Sequence, residues 1–145
     1  MKRLALTLAL VAVAAGPALA QEGPRIAHQP AAGRPYSAAV QVGSIYWLAG
    51  KVGATAETRA MTEGRTAAET HNIMRAFQEL LSDLDMDLGN VVNSIVYLAD
   101  IDDYAEMNEA YGEYFPSDAP ARATVAVGDL VGGAAIEISF VAVKN

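Results

Sequence analysis

Two charged residues sit where charges are costly. Arg122 lies within Pro120-Ala121-Arg122-Ala123-Thr124-Val125, and Glu137 lies within Ile136-Glu137-Ile138, each flanked by apolar residues of strand type. A charge inside a half-buried strand is disfavoured unless it is paired or used. A guanidinium offers a planar fork that takes a carboxylate by two parallel hydrogen bonds, which lysine cannot imitate. A carboxylate can position a water and accept its proton. The plain alternative is a structural ion pair between the two residues.

The elements that must position this pair follow from hydrophobic spacing. Ala38 to Val42, a turn at Gly43-Ser44, and Ile45 to Ala49 read as a β-hairpin. Gly50 to Arg59 reads as a loop. A helix is expected from about Thr62 to Leu84, because Ile73, Phe77, Leu80, Leu81 and Leu84 fall on one stripe. Val91 to Leu98 is β-branched and strand-like. Asp102-Asp103 opens a second helix through about Phe115, with Tyr104, Met107, Tyr111 and Phe115 along one side and Pro116 and Pro120 ending it. Strands near Arg122–Val127 and Ala134–Val143 finish the chain. The order ββαβαββ predicts an α+β fold, one mixed β-sheet with two helices packed on one face.

Side chains alternate faces along a strand. With Val125 and Val127 turned to the helices, Arg122 and Thr124 point the other way. With Ile136, Ile138 and Phe140 turned to the helices, so does Glu137. The two charges are then expected on neighbouring strands and on the helix-free face. The apolar content assigned to that face (Ala126, Val141, Val143) predicts that another subunit covers it.

The ends and the composition bound the function. Met1-Lys2-Arg3, the apolar run Leu4 to Ala15, and Ala18-Leu19-Ala20 form the pattern of a secretory signal peptide at residues 1–20, cleaved after Ala20. Residues 21–34 read as an extended lead-in and 35–145 as a single domain, large enough for a real core. Removal of Lys2 and Arg3 takes the formal charge from −7 to −9, which repels phosphate backbones and argues against a nucleic-acid partner. There is no cysteine, so disulfides, thiolate chemistry and Cys-type zinc sites are excluded. The expected location is exported, periplasmic or secreted, with no membrane attachment once the leader is removed.

Other suggestive residues read as structural. Asp83-x-Asp85-x-Asp87 lacks the glycine and glutamate of a calcium loop, since Leu88 and Ser94 stand at those positions. No metal site is expected. His28 and His71 have no second histidine nearby in sequence, and Gly132-Gly133 is a turn with no helix start after it.

Taken together, Pro120-Ala121-Arg122-Ala123-x-Val125, Gly128-x-Leu130 and Ile136-Glu137-Ile138 resemble the signature of the Rid (YjgF-type) reactive-intermediate deaminases. Pro35-Tyr36-Ser37, Ala49-Gly50, Tyr97-Leu98-Ala99-Asp100 and Met107-Asn108-Glu109-x-Tyr111 continue the likeness in register from Ile26 to Val143. The resemblance implies a chorismate-mutase-like fold, a homotrimer with clefts between subunits, and hydrolysis of enamines and imines such as 2-aminoacrylate to 2-keto acid and ammonia without a cofactor. By resemblance Arg122 grips the substrate carboxylate and Glu137 serves the water. Gly50 lets its backbone approach the ligand, Tyr36 forms a wall from the neighbouring subunit, and Asn108 and Thr124 complete the pocket. Ala49 stands where the family usually has serine, Thr124 where some members have cysteine, and Lys51 where glutamine is common. A periplasmic binding protein for small carboxylates is the alternative, and an oxidative-stress chaperone a more distant one. The ribonuclease activity attributed to certain relatives fits poorly with the acidic charge.

Overall fold

The computed structural model describes residues 23–54 and 65–144. The expected signal peptide and the first residues expected in the long helix lie outside them. Six strands form one sheet: β1 (Ile26–Pro30), β2 (Ser37–Val42), β3 (Ile45–Val52), β4 (Val91–Leu98), β5 (Ala121–Ala126) and β6 (Ile136–Val143). Two helices, α1 (Arg65–Asp83) and α2 (Tyr104–Gly112), cover one face. The α+β layer with both helices on one side is as the sequence predicts.

Three details differ. The lead-in contains an edge strand, β1, paired antiparallel with β2. Its Ile-Ala-His-Gln-Pro sequence is poor in β-branched residues, so its propensity alone gives little sign of it. β3 runs on through Lys51 and Val52, past an irregularity between Leu48 and Lys51, where a loop was expected. The second helix opens with a 3-10 turn at Ile101–Asp103 and ends at Gly112.

The strand order is β1-β2-β3-β6-β4-β5, with only β4 and β5 parallel. Parallel strands need a crossover, and α2 supplies it between β4 and β5. The chain then passes the end of β4, where Val127 N donates to Leu98 O at 2.9 Å and Ala99 N to Ala135 O at 2.8 Å. β6 descends on the far side, between β3 and β4. Sequence neighbours β5 and β6 are therefore not sheet neighbours, which corrects the expectation for Arg122 and Glu137.

The core lies between this sheet and α1. Ile73, Met74, Phe77, Leu80 and Leu81 bury the helix stripe against Leu48, Val96, Ile138 and Phe140. Phe77 stacks on Phe140 with ring centroids 4.4 Å apart. Each such side chain contributes roughly 1.5–3 kcal/mol by leaving water. The two helices are tied by polar contacts at their N-terminal ends. Thr66 Oγ1 donates to Asp103 Oδ2 at 2.6 Å, and Ala67 N to Glu106 Oε1 at 2.7 Å, so acids of the second helical segment serve the positive end of α1.

Candidate active site

Register decides which way each candidate points, because paired residues share a face. Ser94, Val96 and Leu98 of β4 are fully buried under the helices. Arg122 pairs with Ser94, Thr124 with Val96 and Ala126 with Leu98. Arg122 and Thr124 therefore face the helix side, and Ala126 goes with them. Glu137 pairs with Val52 and Tyr97 on the helix-free face. The expectation that both charges emerge on one face is corrected, and with it the structural ion pair. The apolar-inward rule fails here because the open face is itself apolar. Trp47 is 45 % exposed, Val125 45 % and Ile45 38 %, with Val141 and Val143 beside them.

Arg122 is held by α2. Its guanidinium carbon lies 4.8 Å from the centroid of the Tyr111 ring, one nitrogen donates to Asn108 Oδ1, and another reaches Met107 Sδ at 3.8 Å. Asn108 and Arg122 border a cavity of about 400 Å³ with Tyr111, Phe115 and Pro120. Thr124 Oγ1 is buried with no hydrogen-bond partner among the described residues. Burial pushes the Tyr111 phenol up, against smaller opposing pulls from the Ser94 hydroxyl and the Arg122 charge.

Tyr104, which the sequence places only along the helix side, joins this group. Hydrogen bonds from Asn108 and then Arg122, together with the Arg122 charge, draw its phenol below the usual value. The one signal in the sequence was its position four residues before Asn108, which sets the two on one helical face.

Gly50 and Glu137 form a second group on the other side of β4. A Cβ on Gly50 would lie 2.0 Å from Glu137 Oε1, so the carboxylate rests against bare backbone. Gly50 sits within the β3 irregularity that permits this approach. Tyr36, Ala38, Ala49, Gly50, Lys51 and Val52 line an adjoining cavity of about 280 Å³. Tyr36 is exposed, and its hydroxyl accepts from Arg34 at 3.1 Å.

The structure thus brings together Arg122, Asn108 and Thr124; separately it sets Glu137 against Gly50 on the helix-free face, and Gly50 beside Tyr36 at the cavity. Two strand spacings, roughly 10 Å, and the thickness of the sheet separate the groups within one chain. The remaining candidates have structural employment. His28 bonds Gln41 at 2.9 Å and His71 bonds Tyr114 at 3.0 Å. Asp85 pairs with Lys144 at 3.2 Å, and Asp87 caps the 3-10 turn at Leu88–Asn90.

Comparison with known proteins defines the class. The family model described as Endoribonuclease L-PSP matches residues 26–144, and the chain belongs to this family, also called YjgF or Rid. It is 38% identical over 117 residues to protein DfrA of Myxococcus xanthus, covering 79% of this chain and 89% of that one. It is 37% identical over 119 residues to human 2-iminobutanoate/2-iminopropanoate deaminase, covering 82% and 87%. Among solved structures, a YjgF-family member from Neisseria meningitidis superposes with a TM-score of 0.73 at 26% identity, covering 86% and 98%. RidA from an Antarctic Psychrobacter gives 0.68 at 31% identity, covering 79% and 93%.

Proposed function

We propose that this chain is an exported, cofactor-independent deaminase that hydrolyses small carboxylated enamines and imines in clefts between subunits of a homotrimer. Relatives named 2-iminobutanoate/2-iminopropanoate deaminase support the activity. The observation that carries the site is the separation of Arg122 from Glu137 within one chain. Neither half is complete alone, and the apolar open face offers the surface on which copies would meet.

Arg122 takes the substrate carboxylate by its fork, while Asn108 and Tyr111 fix the guanidinium plane. Glu137 of a neighbouring copy holds a water and accepts its proton as the oxygen bonds to the imine carbon. Glu137 passes that proton to the imine nitrogen to give the carbinolamine, then carries the hydroxyl proton to the same nitrogen as the C–N bond breaks, and 2-keto acid and ammonia leave. Gly50 leaves room for the water and for the ligand. The acidic balance, −7 over the whole chain, speaks against RNA as a substrate despite the family's description.

The test generates 2-aminoacrylate in situ with a dehydratase and follows pyruvate release with the mature protein and with Arg122→Ala. Acceleration should be lost in the variant while its fold and oligomer persist. Equal acceleration by both proteins would overturn the assignment. Stabilisation by 2-keto acids with no turnover at all would make the chain a carboxylate-binding protein instead.

A further inference from the structure

Lys51 has surroundings that set it apart from the other lysine of the domain. It pairs with Ile138, so it points to the helix side of β3, and Nζ stands 5.5 Å from the centroid of the Phe77 ring. It lines the 280 Å³ cavity between β2, β3 and α1, and it makes no ion pair or hydrogen bond among the described residues. Lys144 is the opposite case: its ammonium donates to Leu84 O at 2.8 Å and pairs with Asp85 at 3.2 Å. An ammonium without acceptors, over a ring and half out of water, loses hydration that nothing replaces. Burial accordingly draws the Lys51 amine below the ordinary lysine value, against weaker support from Glu79 of α1 and Tyr36. Glu137 is on the far face of the sheet.

The rim supplies a second recognition element. Tyr36 lines the cavity, and its hydroxyl accepts from the Arg34 guanidinium. A carboxylate can therefore be received at Arg34 and Tyr36 while a carbonyl carbon next to it enters toward Lys51. That is the shape of a 2-oxo acid.

We propose that Lys51 is an amine nucleophile that captures small 2-oxo acids as a Schiff base in this cavity. The neutral amine bonds to the carbonyl carbon, both amine hydrogens pass to the carbonyl oxygen, and that oxygen leaves as water. A C=N bond replaces C=O, with no oxidant or reductant involved. Hydrolysis reverses the step. The cavity shares Tyr36 and Gly50 with the proposed imine site, but the step at Lys51 does not depend on imine hydrolysis at Arg122 and Glu137.

The experiment incubates the mature protein with pyruvate and sodium cyanoborohydride at neutral pH, and then maps adducts by peptide mass spectrometry. The reduced carboxyethyl adduct should accumulate at Lys51 several-fold faster than at Lys144, whose ammonium is held by Leu84 O and Asp85. Arg34→Ala should slow pyruvate labelling and leave acetaldehyde labelling unchanged. Equal labelling of Lys51 and Lys144, or no adduct at Lys51, would overturn the proposal, and neither reading depends on a variant folding. Labelling in a protein without deaminase activity would retain this inference and remove the other.

Discussion

Arg122 and Glu137 stand on opposite faces of one sheet with β4 between their strands. The pair that draws attention in the sequence is therefore not a pair inside a chain. In the mechanism we propose, a second copy brings a Glu137 to each Arg122.

That arrangement predicts complementation. Arg122→Ala and Glu137→Gln proteins, each inactive, should regain about a quarter of wild-type turnover when unfolded, mixed equally and refolded, because a ring of heterologous interfaces places an intact half from each at that share of clefts. Steady-state pyruvate release measures it. No recovery in verified mixed oligomers would mean that both residues act within one subunit.

Gly50→Ala should separate activity from stability. The new methyl meets the end of the Glu137 side chain, which can swing aside, so the fold accommodates it while the carboxylate is displaced. Turnover should fall about 10²-fold, in line with displacing a general base, with a melting temperature close to wild type. A fully active variant would remove Glu137 from the mechanism.

Glu69 should matter for stability alone. It is fully buried, accepts from Ala135 N at 2.8 Å, and lies 2.9 Å from Arg65 Nε. The angle to Arg65 is poor for a hydrogen bond, so that attraction is chiefly charge on charge. Arg65 also donates to Gly133 O, and Gly53 packs so closely that a Cβ there would lie 2.1 Å from Glu69 O. Glu69→Ala should cost about 3 kcal/mol in urea denaturation, with Glu69→Gln costing less because Ala135 keeps an acceptor. Equal losses would show that the charge, not the acceptor, is what the site requires.

Tyr111 should shape the alkaline limit. Its folded phenol titrates above the unfolded value near 10, so above that pH the unfolded chain sheds a proton that the folded chain retains, and stability falls. Below pH 10 the contribution is fully present. Tyr111→Phe should flatten the loss between pH 10 and the folded value, read from denaturation midpoints. An unchanged slope would assign the loss to other groups.

The hairpin, both helices, β4 and the last two strands are legible in the sequence because their apolar spacing matches one period and their turns carry glycine or proline. The facing of β5 is not. Val125 and Val127 look like core residues, and the arginine beside them looks expelled, yet α2 brings Asn108 and Tyr111 to receive Arg122. A parity argument needs to know which face is wet, and an apolar open face removes that reference. Tyr104 escaped for a similar reason, since its hydroxyl matters only once Arg122 lies beside Asn108. Gly50 and Glu137 were each nameable from the resemblance, but their contact depends on an irregularity in β3 that spacing does not announce.

The placement of β6 has a consequence for how the molecule comes into being. The last of the six described strands is an inner one, and it joins β1-β2-β3 to β4-β5. Until Val143 has been made, the chain holds a three-stranded ribbon and a parallel pair with nothing between them, and small unsupported ribbons are marginal in water. Closure of the sheet is thus a long-range, late event that no growing chain can complete early. A chain built this way cannot close its sheet before β6 is available to pair with both β3 and β4.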